Sequence, residues 1–366
     1  MIVMSVALDN LYGFQEFSLD FSYPKKIVRS PIVDEHLPGC PSFRYKRVNI
    51  IMGSTATGKT TLGKALVAIF NFIEKRDAPP LIEAISDPAK PARFCLRFVA
   101  KEKILFQVET TINAGDGSRL YKASDFLASV KQTPIGTRDT YERCVGRLDD
   151  QVTQYGSYAD VFDEIEGFGW YSTFPHEGAA WAATSDEDPL LFERTLAVVL
   201  KSLDPAIESV PRSRDMQDSY VVTHAAHKTL IRHGKLIEEE GAQLSRGTES
   251  GIAIALLLTA IMNQRYGWYY CDETFNFVHS DVERELLALM VEKLGPDEQL
   301  FFTTHNSDIL DMYFPHHAYL FLKKEEEQIS AVSADHYLKR NTDNLRLAVE
   351  NDRFFSKADL SLFSGL

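Results

Sequence analysis

The stretch Gly53–Leu66 reads GSTATGKTTLGKAL and fits the pattern G-x-x-x-x-G-K-[ST]. It follows the apolar run Val48-Asn49-Ile50-Ile51-Met52 and leads into a helical pattern from about Lys59 to Glu74, which Asp77-Ala78-Pro79-Pro80 ends. Strand, glycine loop and helix, in that order, are the setting in which such a loop holds phosphate. Gly53 and Gly58 let the backbone curl, so that N–H groups along Thr55, Ala56 and Thr57 point at one anion. Lys59 adds a positive charge for the outer phosphates and Thr60 a hydroxyl for Mg²⁺. Thr61 continues a helix N-terminus whose dipole favours negative charge. The same pattern occurs in ordinary glycine-rich turns, and by itself it does not separate kinases, GTPases, switch proteins and clamp ATPases.

The rest of the composition narrows the class. The chain has 366 residues, 45% apolar and 25% charged, with a net charge of −13. These values fit one large or two medium soluble domains. The acidic balance argues against general adhesion to nucleic acid or anionic membrane and leaves only a local basic groove for such contact. The short clusters Lys25-Lys26 and Arg44 with Lys46-Arg47 read most simply as solvated loop charges. Cys40, Cys95, Cys144 and Cys271 form no CxxC pair. Neither a zinc site nor a disulfide framework is expected, and a reducing cytoplasmic location fits. The N-terminus MIVMSVALDN lacks the pattern of a signal peptide. The longest apolar stretch, near Gly251–Met262, falls short of the ~20 residues that span a bilayer and reads as a buried helix. No membrane contact is expected.

Alternating apolar residues over 1–22 predict a hairpin turning near Tyr12-Gly13, and Arg93–Phe98 with Ile104–Ile112 predict a second. Residues 23–47 read as a loop. From 113 to 218, Gly, Ser, Thr and acidic residues interrupt short helical pieces, of which Leu190–Leu203 is the clearest. Ser219–His227 and Lys235–Glu238 look like strands, and 245–320 run helix, strand, helix, strand. This divides the chain into 1–112, a mostly helical insertion 113–218, and a second α/β part 219–366.

Four further stretches bear on the chemistry. In GWYYCDETF, residues 267–275, a buried strand ends in Asp272-Glu273. A carboxylate there, beside a phosphate loop, is placed to hold Mg²⁺ through water, and its neighbour to orient and deprotonate an attacking water. Without the phosphate loop the pair would simply open a turn. Ser280-Asp281-Val282-Glu283 reads as a capping box starting a helix. Leu300–Thr304 is another buried strand, with His305 just beyond it, where its ring can sense a phosphate or steady the water. Finally, Leu244-Ser245-Arg246-Gly247-Thr248 precedes the apolar helix Glu249–Asn263. It reads either as plain N-capping or as a second anion site, supplied to the phosphates of another subunit.

The order GSTATGKTTL, LSRGTESG, WYYCDE, FFTTHNSDIL resembles the ATP-binding-cassette (ABC) ATPase heads of the SMC-like and DNA-repair type. It is most similar to the AAA-type ATP-binding proteins of the abortive-infection and overcoming-lysogenization-defect class. The opening LDNLYGFQEFSLDF and the tail from Tyr337 to Phe354 resemble that class as well. The resemblance covers about 1–112 and 219–355. It implies an α/β P-loop NTPase fold: an ABC-ATPase head with an N-terminal antiparallel β-subdomain, a mixed or parallel central sheet and a mostly helical insertion.

Carried over, Gly53 to Thr61 cradle ATP, Lys59 and Thr60 bind phosphate and Mg²⁺, and Ser245, Gly247 and Thr248 act as the signature in trans. Asp272 is then the Mg²⁺-side acid, Glu273 the catalytic base and His305 the switch histidine. Asn276 falls where an aspartate is common, Thr55 where Asn is usual, and Arg246 at a usually small position. A magnesium-binding glutamine is not placed; Gln107 is the nearest option. The resemblance further implies a homodimer or higher homo-oligomer and a separate effector protein, a nuclease or toxin, in anti-phage defence. A slow-hydrolysing scaffold or sensor holding DNA or a phage protein is the alternative. A P-loop kinase would have no use for Ser245–Thr248.

Overall fold

The computed structural model describes residues 1–27, 30–115, 117, 119–175, 188–224, 227–237, 246–340 and 343–354. β1 (Ile2–Asp9) and β2 (Phe17–Asp20) form the first expected hairpin. The 23–47 segment contains a small hairpin of its own, β3 (His36–Leu37) with β4 (Cys40–Arg44). Then come β5 (Val48–Met52), with every residue buried, α1 (Lys59–Lys75) and α2 (Pro79–Glu83). α1 ends where Arg76 turns left-handed at φ 61° and returns its N–H to Asn71 and Phe72. A proline at the first position of α2 then starts a new helix at no hydrogen-bond cost. β6 (Ala92–Val99), β7 (Ile104–Ile112) and β8 (Phe126–Pro134) complete an antiparallel sheet of order β2-β1-β6-β7-β8.

The segment 113–218 carries α3 (Tyr141–Asp149), α4 (Tyr158–Val161) and α5 (Pro189–Leu203), close to expectation for the last. It also donates a strand to each main sheet. β8 closes the N-terminal sheet, and β9 (Trp170–Thr173) pairs in parallel with a strand a hundred residues away, Trp170 opposite Trp268. A strand of four residues whose partner is so distant leaves little periodic signal. β10 (Ile207–Ser209) joins β11 (Ser219–His224), β12 (His227–Arg232) and β13 (Lys235–Ile237) in a third, antiparallel sheet.

α6 (Arg246–Met262), β14 (Trp268–Asp272), α7 (Ser280–Lys293), β15 (Gln299–Thr303), β16 (Tyr319–Glu325), β17 (Gln328–Ser333), α8 (Ala334–Tyr337) and α9 (Leu345–Glu350) follow. The central sheet has the order β17-β16-β5-β15-β14-β9, parallel except for the edge strand β17. Helices cover a parallel sheet on both faces, so its strands read as unbroken apolar runs. Side chains alternate accordingly. Ile50, Tyr269, Cys271 and Phe302 meet α5, α6 and α7, while Ile51, Tyr270 and Phe301 meet α1 and the N-terminal sheet. α6 is buried nearly all round, from Ile254 to Ile261, as its composition requires. Among the described residues no helix is long and apolar enough to cross a membrane.

Candidate active site

β5, β15 and β14 run in parallel with Ile51, Thr303 and Asp272 in register, so their C-terminal ends open on one edge of the sheet. The loop after β5 curls as its glycines require. A Cβ on Gly53, at φ 153°, would lie 2.5 Å from the Leu322 carbonyl oxygen and 2.7 Å from Thr57 Oγ1. Gly58 caps α1 at φ 98°, and Ala56 holds φ 63° without being glycine. Thr57 Oγ1 donates to Ser54 O at 2.9 Å, bracing the loop from inside, while Thr55 and Ala56 are exposed at its tip and Thr61 is half-buried. α1 is fixed from behind: Tyr270 of β14 donates its hydroxyl to the Lys59 carbonyl at 2.6 Å.

Lys59 is buried, and its Nζ lies 3.0 Å from Gly53 O, 3.2 Å from Ser54 O, 3.1 Å from His305 Nε2 and 3.5 Å from Glu273 Oε1. Burial pulls the ammonium below its usual range, and Glu273 opposes that pull. Thr60 Oγ1 donates to Asp272 Oδ2 and Thr303 Oγ1 donates to Asp272 Oδ1, both at 2.7 Å. Thr303 Oγ1 also accepts the Glu273 N–H at 3.0 Å, so one hydroxyl on the middle strand sets the height of both acids. Burial raises the Asp272 carboxyl above its ordinary range, opposed by those two hydroxyls.

Glu273 leaves the strand at φ 43° and meets His305 Nε2 at 2.9 Å through Oε1 and Asn276 Nδ2 at 3.0 Å through Oε2. The His305 bond is the main reason its carboxyl falls to about 2. Lys59, Thr60, Asp272, Thr303, Glu273 and His305 thus form one connected cluster.

Other expectations land elsewhere. Ser245 lies outside the described residues. Gly247 is half-buried and Thr248 wholly buried in the first turn of α6. Asn276, in the turn after β14, donates its amide to Glu273 Oε2. Gln107 is buried in β7, bonded to Arg97 and Glu109, in the other sheet. The capping box at Ser280 does not form: His279 is the cap of α7, accepting from the Asp281 N–H, and Glu283 turns inward to Thr304 and Asn306. The sequence carries no signal for that role, since S-x-x-E spacing fits a capping box equally well.

The residues present fit Mg²⁺ and a nucleoside triphosphate. Thr60 and Asp272 form a hard oxygen donor pair of the kind Mg²⁺ takes. The glycine cradle that a Cβ would fill, with a buried ammonium at its mouth, suits phosphate oxygens.

No protein-family model matches the chain, and no curated protein matches it. Solved structures do. Over 92% of this chain and 100% of the other, it is similar to an SMC head bound to the C-winged helix domain of ScpA, with a TM-score of 0.52 and 10% identity. The SMC head domain from Thermotoga maritima aligns at TM-score 0.43 and 13% identity, over 91% and 99% of the two chains. An SMC head with an extended coiled coil, derived from Pyrococcus furiosus, aligns at 0.47 and 11%, over 97% and 100%. The first of these, together with the topology above, gives the chain the fold of an SMC-type ABC ATPase head.

Proposed function

We propose that this chain is a Mg²⁺-dependent ATPase head that closes with a second copy around ATP and thereby controls a partner effector. The observation that carries the ATPase reading is the convergence of Lys59, Thr60, Asp272, Glu273 and His305 in one hydrogen-bonded cluster at the ends of three parallel strands. The nucleotide and Mg²⁺, when bound, supply an electrophilic phosphorus with its negative charge partly neutralised. Lys59 binds the outer phosphate oxygens, and Thr60 with Asp272 holds the ion. Glu273 orients a water and takes its proton on the carboxylate. A carboxyl at about 2 is a weak base. Were Lys59 and His305 drawn toward phosphate, they would release Oε1, and the carboxylate would become the stronger base.

That same restrained carboxylate favours a second reading, an ATP-dependent scaffold that hydrolyses slowly. The trans contact of the sandwich would draw on Ser245 and on Gly247, which lies in the first turn of α6 beside the buried Thr248. Control of a nuclease or toxin in anti-phage defence is supported by the resemblance to the abortive-infection class. An SMC head solved with a ScpA domain is a precedent for a head of this fold holding a separate protein.

Turnover by purified protein and by Glu273→Gln separates the readings. The expected result is Mg²⁺-dependent hydrolysis that falls by about 10²–10⁴-fold in the variant, with ATP-dependent dimers retained. Wild-type turnover no faster than that of Glu273→Gln, with assembly intact, removes the enzyme and leaves the scaffold.

A further inference from the structure

His305 lies between two residues that bond the same buried carboxylate. Thr304 Oγ1 donates to Glu283 Oε1 at 2.6 Å, and Asn306 Nδ2 donates to Glu283 Oε2 at 2.8 Å. Thr304 Oγ1 also accepts the Asn306 N–H at 2.9 Å, closing the turn, and the Thr304 N–H reaches back to Ile51 O of β5 at 3.2 Å. Ser280, three residues before Glu283 on α7, accepts from Asn306 Nδ2 at 2.9 Å and donates to Asp308 Oδ2 at 2.6 Å. Arg346 of α9 in turn bonds Asp308 at 3.0 Å and Asp311 at 2.9 Å. Glu283 is only 4% exposed, and its carboxyl is raised mainly by burial. An acid is costly to bury unless its bonds are used. Here both oxygens are used, and both grip the turn that carries the histidine.

We infer that Glu283 is a positioning residue, which holds the Thr304–Asn306 turn so that His305 meets Glu273 and Lys59. This rests on the ATPase reading. Glu283 bonds the residues on either side of His305 and acts through His305 alone. A glutamine can keep both contacts with one reversed: its oxygen accepts from Asn306, and its amide donates to the Thr304 hydroxyl, which is the donor to Glu283. Alanine reproduces neither.

The test compares wild type, Glu283→Ala, Glu283→Gln, His305→Ala and the Glu283→Ala/His305→Ala double variant. Glu283→Ala is expected to lower kcat by about 10–100-fold while KM for ATP stays within about twofold, because the loss is one of geometry. Glu283→Gln restores kcat, and in the His305→Ala background the Glu283 change costs nothing further. Full activity of Glu283→Ala, or an equal cost with and without His305, overturns the inference.

The His305 ring signal in the NMR spectrum of nucleotide-free protein supplies a readout independent of turnover. It is expected to shift and broaden in Glu283→Ala and to return in Glu283→Gln. An unmoved signal overturns the inference even if the protein hydrolyses ATP. Absent wild-type turnover with a moved signal instead refutes the ATPase reading and leaves the positioning role standing. If Glu283→Ala does not fold, Asn306→Ala removes the other end of the same bond and is read in the same way.

Discussion

Replacing Gly63 with alanine is expected to destabilise the protein by about 3 kcal/mol, against the usual preference of helices for alanine. Gly63 lies in α1, directly over Tyr270. A Cβ there would fall 2.7 Å from Cζ and 2.8 Å from Cδ1 of that ring, and closer still to Cε1. Carbon atoms rest at about 3.5–4.0 Å, so the ring or the helix must retreat by about 1 Å. The ring has nowhere to go. It is fully buried, stacked 5.4 Å from Trp268 and 6.0 Å from Phe301, with Phe174 at 5.9 Å. Overpacking of this kind costs about 1–3 kcal/mol.

Movement also breaks the 2.6 Å bond from Tyr270 to the Lys59 carbonyl. A buried hydroxyl left unpaired costs about 1–3 kcal/mol. Against these stands a gain of about 1 kcal/mol from helix propensity. Urea unfolding of the variant gives the net value, and nucleotide affinity should fall with it, because the first turn of α1 carries Lys59 and Thr60. The double variant Gly63→Ala/Tyr270→Val opens room for the methyl group and is expected to cost less than the sum of its parts. A Gly63→Ala protein as stable as wild type, or more stable by the propensity gain, would refute the reasoning.

Two other outcomes follow from the same geometry. Asp272→Asn keeps the shape of the Thr60 and Thr303 contacts but not the charge, so Mg²⁺ enhancement of nucleotide binding should drop by roughly 10–100-fold while Mg²⁺-free binding is unchanged; equal Mg²⁺ dependence in both proteins would exclude Asp272 from the ion site. Burial pushes the Glu298 carboxyl up to about 7, against the bonds it accepts from the Gly295 N–H at 2.5 Å and the Tyr269 hydroxyl at 3.2 Å. The folded chain therefore holds a proton that the unfolded chain releases near ~4.3, and stability falls as pH rises from there to about 7. Glu298→Gln should be more stable than wild type by about 1–3 kcal/mol at pH 8 and equal to it near pH 4, measured by urea unfolding. The same pH dependence in both proteins would show that Glu298 is not the group responsible.

The parts of the site legible in the sequence are those set by local chemistry. Two glycines at fixed spacing, a buried strand before them and a helix after them leave few alternatives, and Asp272 and His305 could be placed because Asp272 ends an apolar run and His305 follows a short strand pattern, Leu300–Thr304. What stayed hidden depends on pairing across distance. β9 is too short to announce itself, and its membership of the central sheet is decided by Trp268 to Cys271 opposite it. Glu283 fits a capping box by spacing, yet S-x-x-E looks the same whether the acid turns to its own helix or to a neighbouring loop. Gln107 has the chemistry of a magnesium ligand but is claimed by Arg97 and Glu109 within its own sheet.

The place of β5 in the central sheet has a consequence for how the protein is made. This strand, VNIIM with no exposed residue, ends at Met52, yet its neighbours on either side begin at Gln299 and Tyr319. A ribosome adding about 5–20 residues per second needs tens of seconds to deliver them. Throughout that interval the nascent chain carries the glycine-loop sequence on an apolar strand with both hydrogen-bonding edges unfilled. The N-terminal antiparallel sheet, which closes by residue 134, can shelter one face of that strand but neither edge. The growing polypeptide is therefore most vulnerable to aggregation, and most in need of a chaperone, around the segment that later defines its chemistry.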